Sequence, residues 1–511
     1  MTLCCSKTSK VMEEKWFGLF TLFLTIILLK LLRAGKGKLP PGPRKLPIIG
    51  NLHQLATTAA LPHHRLAELA RVHGPIMHLR LGESSTVIIS SADMAREVLK
   101  THDAVLCSRP SILLGETVFY GRTDIAFAPY GEHWRQVRKI SALELFTPKR
   151  VLSFRPVREE EVRNLVRSLA SEAWSVVNLS KKLFGLAFDI TSRLAFSKKG
   201  KEQEQFRKLL ADISDVGSGF SIGDLYPSIK YLHSITGMKR KLQDLVTRSD
   251  KILDPIIDDH ISSKKQGKTE EDLVDVLLKF HEDDLYHDDT HFSLTIQNIK
   301  AIVLDLFGAG SETASTTVEW AISELLKNPR VMQKAQEEVR QELQGVIEVD
   351  ETNIEELKYL KLVIKETLRL HPPIPLLLPR ESMERCKLNS YEIPPKTRVF
   401  INAWAIARDP KYWDDPEMFI PERFQDSSVD YRGNNFELIP FGAGRRICPG
   451  IGLGIANLQL TLAMLLYHFD WKLPNHFQAK DLDMDETFGI VSRRKNDLLV
   501  IPTIYAFSSF N

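Results

Sequence analysis

The sequence predicts a mainly α-helical fold with small β-sheets, in one large domain behind a single N-terminal membrane helix. Three observations support this. Residues 16–32 form an apolar run, helical periodicity dominates the chain after about residue 90, and strand-like segments are few and short. No internal repeat, low-complexity block or clear domain boundary separates residue 51 from residue 511, so this stretch is interpreted as one domain.

Composition excludes several protein classes. Of 511 residues, 43% are apolar and 26% are charged, which is typical of a globular protein and not of a disordered or collagen-like chain. Lys plus Arg number 68 against 65 Asp plus Glu, a net charge of +3 that argues against nucleic acid as the main partner. The five cysteines are scattered without a CxxC pair, so neither a disulfide framework nor a zinc ribbon is expected.

The apolar run at 16–32 is interrupted only by Lys30, near its end. Seventeen helical residues span about 25 Å, enough for a thin bilayer such as that of the endoplasmic reticulum. A cleaved signal peptide is the alternative, but no small-x-small cleavage site follows. Residues 33–45 carry five basic residues and no acid, which places this flank in the cytosol and residues 1–15 in the lumen.

A basic and proline-rich segment, 33–50, follows the membrane helix and contains Pro40, Pro41, Pro43 and Pro47. Proline fixes φ and cannot continue a helix. We interpret the segment as a stiff hinge that sets the angle of the body to the membrane, with a generic linker as the alternative.

Several elements of the large domain are predicted in turn. Strands are expected at 76–81, 86–89, 398–401 and 498–501, and a shorter helix at 357–370. The longest helix begins at a cap provided by Ser293 or Thr295, runs to Asn328 and ends before Pro329. Its apolar middle predicts passage through the centre of the domain.

The segment 281–291 contains three histidines and five acids just before this helix. A metal site is conceivable there, but a polar surface loop is the favoured interpretation.

The chemistry of the chain is concentrated in residues 441–450, FGAGRRICPG, where a cysteine follows a glycine-rich loop and precedes a helix-like run. Backbone N–H groups and a helix N-terminus stabilise a thiolate, and glycines let backbone approach a flat ligand. A buried cysteine in a glycine turn is the alternative for Cys448 alone. An iron porphyrin with a cysteine axial ligand explains the whole stretch.

These residues resemble the signature of cytochrome P450 haem-thiolate monooxygenases, which is met at Phe441, Gly444, Arg446, Cys448 and Gly450. The resemblance extends over nearly the whole chain and implies the P450 fold, with 51–511 as the catalytic domain. Cys448 is then the ligand of the haem iron, and Phe441 and Gly442 belong to the haem-binding loop. Shorter stretches, such as 126–131 and 235–239, resemble plant family 71 and its D-type subfamily.

Further motifs acquire roles through the same resemblance. Trp134 and Arg138 lie one helical turn apart and are implied to bind a haem propionate together with Arg446 and Arg380. Glu366, Arg369 and Arg423 are implied to form a buried structural charge network.

The motif 309–313 in the long helix is implied to form the oxygen-activation groove. Thr313 then hydrogen-bonds the bound oxygen, and Glu312 supplies protons through water. In the alternative interpretation, the Thr313 hydroxyl bonds back to its own helix backbone.

Family recognition segments place the substrate pocket at apolar positions, with plain core packing as the alternative for each. The predicted pocket residues are Ile112, Val118, Leu304, Leu306, Phe307, Ala309, Leu376, Leu377 and Ile490.

The implied reaction inserts one oxygen atom from O2 into a small apolar substrate. The implied cofactor is haem b (iron protoporphyrin IX), and a separate NADPH-cytochrome P450 reductase supplies electrons, because no flavin or dinucleotide motif is visible. A sesquiterpenoid or diterpenoid of plant specialised metabolism is the favoured substrate, and an alkaloid is the alternative. A haem-thiolate isomerase or lyase and a haem carrier are rival functions. The expected location is the endoplasmic reticulum membrane, single-pass, with the catalytic domain in the cytosol.

Overall fold

The computed structural model describes residues 38–55, 61–199, 203–217, 221–229, 231–265, 271–282, 292–346, 349–487 and 489–505. The predicted lumenal segment 1–15, the predicted membrane helix 16–32 and the first residues of the hinge, 33–37, lie outside the described residues. So does most of the acidic and histidine-rich segment, 283–291.

Helices make up most of the described chain, as predicted. They are α1 (Leu52–Leu55), α2 (Pro62–His73), α3 (Ala92–Arg96), α4 (Asp103–Leu106), α5 (Leu113–Val118), α6 (Glu132–Ile140), α7 (Pro148–Ser153), α8 (Arg155–Ser171), α9 (Leu179–Phe196), α10 (Gln203–Gly217), α11 (Ile222–Leu225), α12 (Leu232–Ile235), α13 (Met238–Lys265), α14 (Leu273–Glu282), α15 (Ile296–Lys327), α16 (Pro329–Glu342), α17 (Lys358–Leu370), α18 (Ala403–Ile406) and α19 (Ile451–His468). Short π-helical turns extend α3 over Glu97–Thr101 and α6 over Ser141–Leu145, and 3-10 turns form at Pro421–Phe424, Gly444–Arg446, Pro474–His476 and Ala479–Asp481.

The strands are short and form small sheets. They are β1 (Ile76–Leu81), β2 (Ser84–Ile89), β3 (Val177–Asn178), β4 (Arg380–Glu381), β5 (Cys386–Leu388), β6 (Tyr391–Ile393), β7 (Arg398–Ile401), β8 (Phe469–Lys472), β9 (Glu486–Thr487), β10 (Arg493–Arg494) and β11 (Leu499–Ile504). The largest described sheet has the order β1-β2-β7-β4, with β2 and β7 parallel and the other pairs antiparallel. A second has the order β3-β11-β8, and β5-β6 and β9-β10 are hairpin-sized pairs.

Helix α15 crosses the centre of the domain and positions the site. Thr295 caps it by accepting a hydrogen bond from the Asn298 N–H, and the Asn298 side chain completes a capping box. The helix ends at Lys327, with Asn328 as its C-cap, so the predicted bounds are confirmed. The segments 299–307 and 315–325 are mostly buried, whereas 308–314 is largely open. A helix buried at both ends and open in its middle faces an internal space there.

The described part of the predicted hinge, 38–50, packs against the body. The His78 N–H donates to Pro41 O at 2.8 Å, and Gly50 pairs with Leu81 as an isolated bridge. Gly42 lies so close to β1 that an added Cβ would stand 2.1 Å from His78 O. Glycine is therefore required at position 42, and this stretch is fixed to the domain.

Within the described residues, α19 is the one helix long and apolar enough to cross a membrane, judged by length and composition. About 61% of its most apolar window is buried inside the domain, so it is a core helix.

Candidate active site

A cavity lies between the open middle of α15 and the cysteine loop. The α15 residues that line it share one face at spacings of three or four, and they are Asp305, Leu306, Ala309, Gly310, Thr313, Ala314 and Thr317. The opposite wall contains Phe441, Gly442, Cys448, Pro449, Gly450, Leu453 and Gly454. All seven residues predicted to bind the cofactor line this one cavity, namely Cys448, Trp134, Arg138, Arg380, Arg446, Phe441 and Gly442.

The loop before α19 holds Cys448 by backbone hydrogen bonds. The Cys448 N–H donates to Phe441 O at 3.0 Å, and helix α19 begins at Ile451, three residues later. Burial raises the pKa of the Cys448 thiol, whereas the Gly450 N–H and the charge of Arg138 act in the opposite direction. A metal ion deprotonates a coordinating thiol outright, so this setting suits a ligand better than a free nucleophile.

Two glycines shape this loop. Gly442 has φ +69°, and an added Cβ would meet only Leu377, at 3.9 Å. Gly444 has φ +70°, and a Cβ there would stand 2.2 Å from Leu99 O. Gly444 is therefore required by close packing, while Gly442 leaves open space beside the backbone, as a flat ring requires.

Four arginines line the cavity, and three of them lack a carboxylate partner among the described residues. Arg380 pairs with Asp103 at 2.5 Å. Arg109, Arg138 and Arg446 donate to backbone carbonyls instead; for example, Arg446 Nη2 donates to Ala128 O at 2.7 Å. Burial lowers the pKa of Arg446 to about 9. Uncompensated buried cations are costly, so the site has the charge to receive a group with two carboxylates.

The residues fit a haem with a cysteine ligand. Cys448 lines the open space together with Gly442, Gly450 and Gly454, and the three arginines without a carboxylate partner are enough to balance two propionates. The sequence did not identify Arg109, which is 6% exposed and spans two loops by donating to Ala126 O, Leu378 O and Pro379 O. A single arginine in a loop carries no pattern by which it can be recognised.

Trp134 lines this site and contacts Arg446. Its indole N–H donates to Ile125 O at 3.0 Å, so this N–H is not directed at a propionate, contrary to the expectation from the sequence. The Arg446 guanidinium lies 3.9 Å from the centre of the Trp134 ring. Trp134 therefore orients Arg446 by stacking.

The two predicted catalytic residues lie on different faces of α15. Thr313 lines the cavity, and its hydroxyl donates to Ala309 O at 2.6 Å, as in the backbone-bonded alternative. Glu312 is not among the lining residues. Its carboxylate accepts from Ser214 Oγ on α10, at 2.9 and 3.2 Å, and lies 3.7 Å from Arg493. Burial raises the pKa of Glu312.

Of the predicted pocket residues, Leu306, Ala309 and Leu377 line the cavity. The structure places the others elsewhere. Phe307 packs among Phe188, Phe196 and Phe206, with ring centres 4.5–5.4 Å apart. Four others pack in or against the hydrophobic core, namely Ile112, Val118, Leu304 and Leu376. Ile490 lies against Gly217 on α10.

Comparisons with known proteins agree with this geometry. The family model described as Cytochrome P450 matches residues 40–501. Premnaspirodiene oxygenase from Hyoscyamus muticus is 49% identical, covering 96% of this chain and 99% of its own. 5-epiaristolochene 1,3-dihydroxylase from Nicotiana tabacum is 48% identical, covering 96% and 99%.

Two further comparisons extend this set. Desmethyl-deoxy-podophyllotoxin synthase from Sinopodophyllum hexandrum is 51% identical, covering 96% of this chain and 98% of its own. Among solved structures, a zebra fish cytochrome P450 with abiraterone superposes with a TM-score of 0.74 at 27% identity, covering 87% of this chain and 99% of its own.

Proposed function

Because this chain belongs to the cytochrome P450 family and is a monooxygenase of the plant family 71 type, we propose that it hydroxylates a small apolar specialised metabolite, in first place a sesquiterpenoid or diterpenoid. The observation that carries this proposal is the apolar wall of the cavity that Cys448 also lines. Its members include Ile190, Leu194, Leu306, Ala309, Ile374, Leu377 and Leu378. Such a wall selects a substrate by bulk and shape and offers few directional contacts.

The relatives support the same substrate class. Premnaspirodiene oxygenase and 5-epiaristolochene 1,3-dihydroxylase act on terpenoids, and each aligns with this chain over nearly its whole length. Desmethyl-deoxy-podophyllotoxin synthase, which is named for a different product, is 51% identical to this chain, so an alkaloid or another specialised metabolite is the second candidate substrate.

Haem b, when bound, supplies oxygen activation at an iron whose thiolate ligand favours O–O cleavage. The protein would supply the ligand Cys448, the arginines that would hold the propionates, and a largely apolar space beside them. Thr313 presents its hydroxyl to that space. Since its proton is donated to Ala309 O, the oxygen lone pairs are available to accept a hydrogen bond from water or from a protonated oxygen.

Glu312 is the proposed proton source on the other face of α15. Its raised pKa means that the carboxyl holds its proton more tightly than an exposed glutamic acid does, as a proton source requires. Its contact with Arg493, which is 44% exposed, gives it a side facing the surface. To serve Thr313, the carboxyl must act through water or turn away from Ser214.

Electrons come from a separate reductase, and we infer NADPH as their source. We also infer that residues 16–32 hold the enzyme in the endoplasmic reticulum membrane, single-pass, with residues 51–511 in the cytosol. The apolar run of the sequence and its basic flank support this location. The membrane is then also the source of an apolar substrate.

The test is turnover by the full chain in microsomes containing a plant NADPH-cytochrome P450 reductase. Sesquiterpene and diterpene hydrocarbons and a set of alkaloids are supplied in parallel, and products are identified by mass spectrometry. We expect a terpenoid product one oxygen atom heavier, which disappears without NADPH and in Cys448→Ser. Oxidation of alkaloids but of no terpene would contradict the terpenoid proposal and support an alkaloid as the substrate. A product formed without NADPH and without added oxygen would indicate the isomerase or lyase instead.

A further inference from the structure

The loop of residues 124–128 is hydrogen-bonded both to the long helix α15 and to two arginines of the cavity. Two backbone N–H groups of this loop, those of Ile125 and Ala126, donate to Asp305 Oδ2 on α15 at 2.8 and 2.9 Å. A third, that of Phe127, donates to Asp124 Oδ2 at 2.8 Å. Three consecutive N–H groups of the loop are therefore held by two carboxyl groups.

The carbonyl groups of the same loop point to the cofactor side. Ile125 O accepts from the Trp134 indole, Ala126 O from Arg109 Nε at 2.8 Å, and Ala128 O from Arg446 Nη2 at 2.7 Å. Two of the three arginines without a carboxylate partner are thus oriented by this loop. Its position is set through its N–H groups by Asp124 and by Asp305, which also lines the cavity.

The two carboxyl groups are in hydrogen-bonding contact with each other. Asp124 is fully buried, and its Oδ1 has no donor among the described groups of the protein. Ionised carboxylates only accept hydrogen bonds, so two of them in contact would leave that oxygen unsatisfied and two like charges facing each other. A proton on Asp305 that is donated to Asp124 Oδ1 removes both penalties.

We propose that Asp305 and Asp124 share one proton, and that this neutral-plus-charged carboxyl pair is the positioning device that fixes loop 124–128, and with it Arg109 and Arg446, against the cavity. The pair acts through the loop and does not touch the reacting atoms. The assignment is independent of the substrate proposed above.

The surrounding charges favour one retained negative charge on the pair. Arg109 and Arg446 act on Asp124 from the cofactor side, and Cys107 lies near the same arginines. The other titratable groups nearby have their own partners. His133 on α6 is hydrogen-bonded to Thr123 O, and Lys300 on α15 forms ion pairs with Asp250 and Asp254.

The shared proton has a measurable consequence. Burial, and then the charge of Asp124, raise the pKa of Asp305 well above its ordinary value, and burial raises that of Asp124 to about 6. A carboxyl whose pKa is higher in the folded than in the unfolded state binds its proton more tightly when folded. Its stabilising contribution is complete below the unfolded pKa, near 4, and is lost as pH rises toward the folded value.

The first test compares thermal unfolding of the purified full-length holoenzyme with Asp305→Asn between pH 5.5 and pH 9. An amide keeps an oxygen for the two N–H donors and an N–H for Asp124 Oδ1, but it cannot ionise. We expect the wild type to lose stability relative to the variant over this range, so that the difference between their midpoints changes by at least about 2 °C from pH 5.5 to pH 9. A difference that is the same at both pH values would overturn the shared proton.

The second test separates positioning from titration. Asp305→Leu has the same size but cannot accept the Ile125 and Ala126 N–H groups, so we expect its haem-to-protein ratio to fall at least about twofold while Asp305→Asn retains its haem. Failure of the Leu variant alone to fold has the same meaning, because Leu lacks the acceptor and the donor that Asn keeps. Equal haem retention in both variants would refute positioning. The control is Asp250→Asn, which should keep its haem. Asp250 lies on α13 and bonds to Lys300, a residue of α15 like Asp305, but it is not hydrogen-bonded to any residue of the described loop 124–128.

Discussion

Arg369 and Glu366 form a doubly hydrogen-bonded ion pair with no exposed side-chain surface. Arg369 Nε lies 2.7 Å from Glu366 Oε2, and Nη2 lies 2.8 Å from Oε1. Arg423 adds a third contact, from its Nε to Glu366 Oε1 at 3.0 Å. The remaining N–H groups of Arg369 donate to the carbonyls of Ala407, Pro416 and Met418, so this pair ties α17 to the chain before the cysteine loop.

Arg369→Leu will destabilise the protein strongly, because Glu366 keeps its burial and loses its main partner. We expect a loss of about 3–5 kcal/mol in the free energy of unfolding, measured by urea denaturation of the purified holoenzyme. The exposed pair Arg385–Glu392 is the control, and Arg385→Ala should cost less than about 1 kcal/mol. Similar losses in both variants would show that burial of the pair does not matter.

Thr313→Ala will uncouple electron use from product formation, because the cavity loses its hydroxyl. We expect product formation to fall by about 100-fold, the low end for a positioned proton-transfer group, with a smaller fall in NADPH consumption. Thr313→Ser should restore most coupling. Ser315→Ala removes a hydroxyl of the same helix that bonds to Ser311 O and lies outside the cavity lining, and should change neither rate. Full product per NADPH in Thr313→Ala would exclude this role.

Arg109→Leu will weaken haem binding, since a buried cation facing the cavity is lost. We expect at least about half of the haem to be lost on gel filtration, quantified as haem per protein. Arg109→Lys keeps the charge but not the planar set of donors, so an intermediate value is expected. Arg432→Leu, at a site 74% exposed, should retain all its haem. An unchanged ratio in Arg109→Leu would mean that Arg109 serves only to join loops.

His371 gives a pH-dependent contribution to stability. Burial lowers its pKa, but the hydrogen bond to Glu324, at 2.7 Å, and the negative charge of Glu486, whose carboxylate lies 3.7 Å away, outweigh burial and raise it. A histidine with a raised pKa stabilises fully below its unfolded value, near 6.5, and loses that contribution as pH rises through the folded value. Glu324→Gln removes one partner, so its loss of stability on going from pH 6 to pH 9 should be smaller than in the wild type. If the melting temperatures of the wild type and Glu324→Gln fell by the same amount from pH 6 to pH 9, His371 would not be the source of the pH dependence.

The predicted cofactor residues lie together in the structure where one short segment carries the geometry. Residues 441–450 hold Cys448, Phe441, Gly442 and Arg446 in a single loop, and all four line the cavity. The capped ends of α15 were equally clear from Thr295 and Pro329. In each case neighbouring residues determine the local structure.

Prediction was weaker where the relevant partner is distant in sequence. Arg109 bonds to carbonyls as far away as Pro379, and no local pattern reveals such a pairing. On α15 the predicted pocket positions do not share one face; they are Leu304, Leu306, Phe307 and Ala309. The cavity is lined instead by a stripe that returns every three or four residues. Applying that period would have excluded Phe307 and singled out Asp305, the one acid of the apolar run.

The central claim is that Cys448 supplies the thiolate ligand of a haem in this cavity. The most direct measurement is the absorption spectrum of the purified, reduced, carbon monoxide-treated protein, in the wild type, in Cys448→Ser and in the control Cys386→Ser, a partly exposed cysteine of β5. We predict the red-shifted band of a thiolate-ligated haem in the wild type and the control, and its loss in Cys448→Ser. A wild type without that band, or a Cys448→Ser variant that retains it, would contradict the account.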